Sequence, residues 1–211
     1  MQNIRNILFD YGNVIFEIEF PRVQKSFNDL GISNVLELYG HLQQDRLFDD
    51  FDRGHIDSAE FRNGIRRLSG KSDLTDDQID VAWNSLLIGV PGPNHELLLN
   101  YQQKFRTFLL SNNNAIHYEW IHAYLKREYQ LDGNDLFFEK CYYSHLMGMR
   151  KPDAEIFEFV LKEHDLKPSE TLFIDDSPQH IETAKLLGIQ TVLIEKGENL
   201  TQLSERLGLI K

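Results

Sequence analysis

The stretch NILFDYGNVIFE, residues Asn6 to Glu17, is an apolar run that ends on one carboxylate, Asp10, and then turns through Gly12 and Asn13. The run lacks polar alternation, which is typical of a strand buried on both faces of a parallel sheet. A buried strand can hold a carboxylate rigidly at the edge of its sheet, whereas an isolated Asp after a strand is more often a turn residue. Asp10 therefore either caps a turn or carries out chemistry.

Four further runs of strand length follow along the chain: FRTFLL (105–110), EKCYYS (139–144), TLFI (171–174) and TVLI (191–194). Helical patterns separate several of them. PDAEIFEFVLKEH (152–164) is amphipathic, and SPQHIETAKLLG (177–188) has Ser177 as predicted N-cap, Pro178 as first helical residue and Gly188 as stop. This alternation predicts an α/β fold, a three-layer α/β/α Rossmann-like core with a parallel sheet.

The segment 17–90 has a different pattern, because it lacks strong strand runs and contains amphipathic stretches of helical period. These are FPRVQKSFNDLG (20–31), SNVLELYGHLQQDRLFDDFDRG (33–54), DSAEFRNGIRRLSG (57–70) and TDDQIDVAWNSLLIG (75–89). The turn-rich GVPGPN (89–94) ends the segment. The pattern predicts a core made of residues 1–16 and 91–211, with an α-helical cap, residues 17–90, inserted after the first strand.

Composition limits the possible partners. The chain has 211 residues and a net charge of -11, from 33 acidic and 22 basic residues, with no basic stripe for a nucleic-acid backbone. Cys141 is the only cysteine, and no apolar segment approaches the roughly 20 residues that cross a bilayer. We expect a cytoplasmic protein that binds neither nucleic acid nor membrane. A protein with this negative charge needs a cation if it is to bind a phosphorylated metabolite.

Polar residues directly follow several of the predicted strands. In parallel sheets, ligands usually bind at the edge formed by the carboxyl ends of the strands. The polar residues are Asp10, Ser111 with Asn112, Lys151 in the loop after Ser144, and the pair Asp175 and Asp176. Each one alone has a simple structural explanation as a cap, turn or solvated residue. Their ordered combination at one edge of a sheet instead predicts a single reaction site.

These residue types suit phosphoryl transfer. The Asp10 carboxylate can attack phosphorus and form an aspartyl-phosphate. Asp176 and Asp10 can together hold Mg²⁺, which neutralises the charge of the phosphate. Lys151 adds a fixed positive charge, and Ser111 with the amide groups that follow it, including Asn112, can donate hydrogen bonds to phosphoryl oxygens.

With these motifs, the sequence resembles the haloacid dehalogenase-like superfamily of hydrolases, most of which are Mg²⁺-dependent phosphatases. LFDYGNVIF (8–16), LLSNNN (109–114), GMRKPDAEIF (148–157) and TLFIDDSPQHIETA (171–184) match its four motifs in order. The segment 17–90 resembles the helical cap that closes over the active site in one large subgroup. FDRGHIDSAEF (51–61) resembles a cap segment of sugar-phosphatase-like members whose first motif reads Asp-x-Gly-Asn.

The resemblance implies a role for each matching residue. Asp10 would be the nucleophile and a metal ligand, and Gly12 would offer its backbone carbonyl to the metal. Ser111 and Lys151 would hold the phosphoryl group. Asp176 would bind Mg²⁺ directly, whereas Asp175 would be either a ligand or a group that supports the ligands.

The chain departs from the common family pattern at Gly12, where most of these phosphatases have a second aspartate that protonates the leaving group. Losing general acid–base catalysis typically costs about 10²–10⁴-fold in rate. Three interpretations are open: a leaving group that departs easily, such as an anomeric or acyl phosphate; a proton supplied by the cap; or a catalytically weak or regulatory protein. Glu17, Glu19 and His55 are the candidate cap groups, and Glu17 is also predicted to contact the substrate.

The resulting prediction is a Mg²⁺-dependent phosphatase that hydrolyses a small, sugar-phosphate-like monoester through an intermediate on Asp10. The alternative is a catalytically weak relative that binds metal and phosphate ligands. A 2-haloacid dehalogenase is a further alternative, but attack on carbon requires no metal. The adjacent acids Asp175 and Asp176 favour a metal, and therefore a phosphate substrate.

Overall fold

Five parallel strands form the central sheet of the protein, in a computed structural model that describes residues 3–33 and 46–209. The strands are β1 (Asn6–Phe9), β4 (Arg106–Ser111), β5 (Lys140–Tyr143), β6 (Thr171–Asp175) and β7 (Gln190–Leu193). Their order in the sheet is β5-β4-β1-β6-β7. All five strands predicted from the sequence are confirmed, and so is the parallel α/β fold.

The two faces of the sheet are covered by separate apolar clusters, as the unbroken apolar runs predict. Alternate side chains of β1 point to opposite faces: Ile7 and Phe9 join one cluster, and Leu8 joins the other. The first face is covered by α5 (Asn94–Gln102), α6 (Ala115–Tyr129) and α10 (Leu200–Leu207), the second by α8 (Ala154–Glu163) and α9 (Pro178–Leu186). The short α7 (Ser144–Met147) follows β5. None of the helices described is long and apolar enough to cross a membrane.

The start of α9 bears on the site, because it follows the paired acids directly. Ser177 holds the predicted N-cap position and Pro178 begins the helix, but the Ser177 side chain makes no capping hydrogen bond. The Ser177 backbone N–H instead donates to Asp175 Oδ1 at 2.7 Å. The helix N-terminus and the end of β6 are thus joined through the Asp175 carboxylate.

The inserted segment contains α1 (Phe20–Asp29), α2 (Arg46–Asp52), α3 (Ser58–Ser69) and α4 (Asp76–Asn84). Its two ends meet in an antiparallel ribbon of β2 (Glu17–Ile18) and β3 (Leu87–Gly89), which pairs Glu17 with Gly89. The sequence did not predict this ribbon, because strands of two or three residues carry no readable alternation. Part of the predicted second helix, residues 34–45, lies outside the described residues. The division at residues 17 and 90 stays a prediction.

Apolar packing joins the cap to the first face of the sheet. Trp83 is 1% exposed and packs its ring on Phe48 and Phe61, within the same cluster that covers Ile7 and Phe9. On its other side Trp83 stacks on His117 of α6, with ring centroids 4.9 Å apart. Trp83 is therefore a core residue that joins α4 to α6.

Polar contacts also cross between cap and core, and we call this set the cap–core ion network. It comprises Asp49 and Asp52 of α2, Arg53 beside them, and Arg150 and Asp153 of the core. Arg150 Nη1 lies 2.9 Å from Asp49 Oδ1, and Arg53 Nη2 lies 2.7 Å from Asp153 Oδ2. The Arg150 Nη2 to Asp52 Oδ2 distance is 3.7 Å. The network connects the end of α2 to the loop that carries Lys151.

Replacing Gly54 with alanine is expected to lower the free energy of unfolding by about 2–4 kcal/mol. Gly54 has φ +70°, which costs a residue with a Cβ about 1–2 kcal/mol, and the new Cβ would overlap the carbonyl oxygen of His145. Gly70→Ala is the matched control, since Gly70 has φ +67° and no atom within 4 Å of the added Cβ. Urea denaturation of both variants separates the two causes; equal losses would mean that the overlap has no cost.

His117 is expected to make the protein sensitive to acid. Burial lowers the pKa of His117 to about 3, and its Nδ1 donates to Asn84 Oδ1 at 2.8 Å. An unfolded histidine takes up a proton near pH 6.5, so this contribution to stability is lost as the pH falls below 6.5, by about 1.4 kcal/mol per pH unit. Urea denaturation between pH 7 and pH 5 should show a shallower loss for His117→Gln. Parallel curves for both proteins would contradict this prediction.

Candidate active site

Three carboxylates meet at the carboxyl edge of the sheet. Asp10 follows β1, Asp175 ends the neighbouring β6 and Asp176 comes next, with one oxygen of each within 4.8 Å of the others. Asp10 and Asp175 are 8% and 0% exposed. Parallel neighbouring strands bring these residues together, as the sequence predicted.

Lys151 reaches the same point from the other side of β1. Its side chain is fully buried, and Nζ lies 2.6 Å from Asp10 Oδ1 and 2.7 Å from Asp175 Oδ2. Asn112 fixes the backbone there, because its side chain accepts from Lys151 N at 2.9 Å and donates to Lys151 O at 2.8 Å. The Asn112 side chain therefore fixes the backbone of Lys151, whose ammonium group lies between the two carboxylates.

The site has more negative than positive charge. The pKa of Asp10 is raised to about 8, mainly by burial. The charge of Lys151 lowers this pKa, whereas the charges of Asp175 and Asp176 raise it. Burial likewise raises the pKa of Asp176. Burial would also raise the pKa of Asp175, but Lys151 and His180 outweigh burial and lower it. One lysine thus faces both Asp10 and Asp175, and the pKa values of Asp10 and Asp176 remain raised.

This surplus of buried carboxylate fits a hard divalent cation. Carboxylate oxygens are the ligands that Mg²⁺ prefers, and a cation would offset the burial and the mutual repulsion that raise the pKa values of Asp10 and Asp176. Across residues 3–33 and 46–209 these three acids are the single cluster of His, Cys, Asp or Glu side chains close enough to share an ion.

Asp175 is already surrounded by donors. In addition to Lys151 and the Ser177 N–H, His180 Nδ1 lies 3.0 Å from each of its oxygens. This arrangement favours a supporting role for Asp175 over direct coordination. His180, near the start of α9, was not predicted; its position five residues after Asp175 is the signal that could have found it.

Asn13 orients the remaining acid. It has φ +55°, and its Nδ2 donates to Asp176 Oδ2 at 2.9 Å while its Oδ1 accepts from Ile18 N at 3.2 Å. The sequence indicated Asn13 only as a turn residue. Asn tolerates the left-handed conformation and offers both a donor and an acceptor, which is why it suits this position.

Ser111 ends β4, the strand on the other side of β1 from β6. It is 3% exposed, and its Oγ donates to the Asn112 carbonyl at 3.3 Å. Asn112 and Gly12 line the pocket that contains Asp10, and Ser111 is not among its lining residues. The predicted roles of Ser111, Asn112 and Gly12 remain predictions.

The pocket has a volume of about 310 Å³. Its wall also contains Ile18, Phe20, Asp52, Arg150, Gln179 and His180. The three predicted proton donors of the cap are exposed, and none of them lines this pocket: Glu17, Glu19 and His55. Glu17 lines a neighbouring cavity of about 560 Å³ instead. The structure therefore does not bring Glu17 to the Asp10 pocket.

The side chain of Ile18 limits the space beside Gly12. A Cβ added to Gly12 would lie 3.0 Å from Ile18 Cδ1, closer than ordinary van der Waals contact. The side chain of Ile18 thus occupies part of the volume that a second aspartate would need. Gly12 and Ile18 fit each other as a pair.

A nucleophile candidate, a buried lysine and an acidic metal cluster at the carboxyl edge of a Rossmann-like sheet define a hydrolase of the aspartate-nucleophile class. The chain belongs to the haloacid dehalogenase-like hydrolases, whose family model matches residues 4–188. The resemblance noted in the sequence is therefore confirmed.

Several relatives match nearly the whole chain. It is 31% identical to the D-ribitol-5-phosphate phosphatase of Bacteroides thetaiotaomicron, over 94% of this chain and 96% of that protein. A HAD family enzyme of the same organism, solved with magnesium and inorganic phosphate, superposes with a TM-score of 0.83 and 38% identity, over 95% of this chain and 98% of the other. A predicted HAD-like hydrolase of Porphyromonas gingivalis superposes at 0.86 with 31% identity, over 99% and 100% of the chains.

Proposed function

We propose that this chain removes the phosphoryl group from a small phosphorylated sugar or polyol, with Asp10 as nucleophile. The geometry of Lys151, which lies between Asp10 and Asp175 and beside Asp176, is the observation that carries the proposal. The class of reaction, Mg²⁺-dependent hydrolysis of a phosphate monoester, agrees with the named phosphatase relative and with the relative solved with magnesium and phosphate. A cytoplasmic location is part of the proposal.

In the first step an oxygen of Asp10 attacks phosphorus, and the bond from phosphorus to the ester oxygen breaks. Lys151 keeps one Asp10 oxygen in place at 2.6 Å, so the other oxygen is held for attack. Lys151 also supplies a fixed positive charge beside the phosphoryl oxygens, in a buried setting where such charges act strongly. The ester oxygen takes up a proton from solvent as it leaves, so the products of this step are the alcohol and an acyl phosphate on Asp10.

In the second step water attacks phosphorus, the bond between Asp10 and phosphorus breaks, and inorganic phosphate leaves. The Asp10 carboxylate is then restored. Asp10 and Asp176 would hold Mg²⁺, with the Gly12 carbonyl as a further oxygen and Asn13 orienting Asp176. When bound, Mg²⁺ supplies positive charge that lets a carboxylate and a phosphate dianion approach each other.

The alcohol needs a proton when it leaves, and residue 12 has no side chain to donate it. The exposed positions of Glu17, Glu19 and His55 in this structure give none of them a place beside Asp10. Among the sugar and polyol phosphates of the proposal, we therefore expect faster turnover of those whose leaving group departs easily, such as anomeric sugar phosphates, than of polyol phosphates, which are alkyl esters.

The test is an assay of the purified chain against polyol, sugar and acyl phosphates, with Mg²⁺ and with EDTA. Turnover that requires Mg²⁺ supports the proposal. No turnover of any substrate, while Mg²⁺ still raises the melting temperature, would favour the alternative of a protein that binds metal and phosphate without catalysis. Release of halide from a 2-haloacid in EDTA would instead support dehalogenation.

A further inference from the structure

We propose that Asp52 of the cap and Arg150 of the core select the leaving group, by binding a hydroxyl group of the substrate and excluding a second anion. The inference rests on the proposed function and narrows its substrate class to phosphate esters of small, uncharged, hydroxylated carbon chains.

The walls of the Asp10 pocket differ in character. Ile18 and Phe20 form an apolar surface of this pocket, whereas the charged residues Asp52 and Arg150 form a second surface. A sugar or polyol has C–H groups that can pack on the first surface and hydroxyl groups that can bind to the second. The volume of about 310 Å³ lies at the lower limit of typical ligand pockets, which favours a short chain.

The charge of Arg150 is already balanced. Its guanidinium lies 2.9 Å from Asp49 Oδ1 and 3.7 Å from Asp52 Oδ2. Arg53 also contacts Asp49 and Asp153, so three carboxylates face two guanidinium groups in the cap–core ion network. The Arg150 charge is therefore not available to a second phosphate or a carboxylate on the leaving group. An anionic leaving group would also approach Asp52, and like charges in a buried site repel strongly.

Asp52 is held in place for this role. It is 3% exposed, Asn114 Nδ2 donates to its Oδ1 at 3.2 Å, and Ser144 Oγ donates to its backbone carbonyl at 2.6 Å. A fixed, buried carboxylate on a pocket wall discriminates well between ligands with and without a matching hydroxyl group.

A purely structural role is the competing explanation, because Asp52 also belongs to the cap–core ion network. Asp153 provides the matched control: it accepts from Arg53 at 2.7 Å in the same network, but it does not line the pocket. Asp153→Asn makes the same chemical change and weakens the same junction.

The test is calorimetric binding with Mg²⁺, in an Asp10→Asn background so that no turnover is required. Asp52→Asn should raise the Kd of a five-carbon polyol phosphate by about 10- to 100-fold, the range expected for hydrogen bonds to a charged group. The Kd of inorganic phosphate should stay within about threefold, because the hydroxyl contact is absent. With Asp153→Asn the ratio of the two Kd values should not change.

Asp52→Asn should also gain affinity for ligands whose leaving group carries a negative charge. With Asp52 neutral, Arg150 faces the pocket with one acidic partner fewer, so a phosphorylated sugar acid of equal chain length should bind about tenfold more tightly. A folding defect cannot produce such a gain. The proposal fails if Asp52→Asn changes the Kd of polyol phosphate and inorganic phosphate alike, or changes neither. Because binding is measured, the absence of phosphatase activity in the wild type would overturn only the proposed function.

Discussion

Asp10→Asn is expected to lower kcat by about 10⁴-fold or more, because the amide cannot form the bond to phosphorus on which both steps depend. The fold should persist, since an amide has nearly the shape of a carboxylate and Lys151 keeps its contact with Asp175. Burial and the neighbouring acids raise the pKa of Asp10, so the folded protein favours an uncharged side chain at this position. The melting temperature in EDTA should therefore equal or exceed that of the wild type.

Steady-state rates and thermal melting, each with Mg²⁺ and with EDTA, check this prediction. The stabilisation by Mg²⁺ should shrink in the variant, because one of the proposed ligands is weakened. Asp153→Asn, outside the pocket, is the control and should retain near-wild-type turnover. An Asp10→Asn protein with wild-type turnover would rule out Asp10 as the nucleophile.

Lys151→Met is expected to remove activity and to lower the free energy of unfolding by about 3–5 kcal/mol, the usual cost of removing one partner from a buried charge pair. Methionine fills much of the volume of the lysine, so packing changes little. The loss arises because Asp10 and Asp175, both buried, no longer face a cation. Mg²⁺ should restore part of the lost stability, since it supplies positive charge to the same acids.

Urea denaturation in EDTA and in Mg²⁺ measures both effects. In an Asp10→Asn background the further loss from Lys151→Met should be smaller, with a coupling of about 0.5–3 kcal/mol between the two sites. Lys167→Met is the control, because the Lys167 side chain is 72% exposed and its pairing with Glu170 contributes little. Equal midpoints for Lys151→Met and the wild type in EDTA would contradict this account of the charges.

The sequence allowed the core of the fold and the main site to be predicted, because both depend on strong local signals. Apolar runs of strand length identified all five parallel strands, and the polar residues after four of the runs indicated the edge where ligands bind. The approach of Lys151 to Asp10 followed from that geometry. Knowing that parallel strands end at one edge was sufficient to place these residues together.

Contacts between distant segments could not be predicted in this way. Asp52 and Arg150 are 98 positions apart, and no periodic pattern relates a cap helix to a core loop. The exposed positions of Glu17 and Glu19 depend on the β2–β3 ribbon, which is too short to predict. The role of Asn13 depends on a side-chain hydrogen bond to Asp176, whereas the sequence shows only its turn preference.

Rapid acid quenching during turnover, followed by mass spectrometric mapping of the phosphorylated peptide, tests the central claim most directly. The account predicts a phosphoryl group on Asp10 that forms at least as fast as product and is released by hydroxylamine, as an acyl phosphate must be. It would be contradicted by substrate turnover with Asp10 unmodified at every time point, or with the phosphoryl group on another residue.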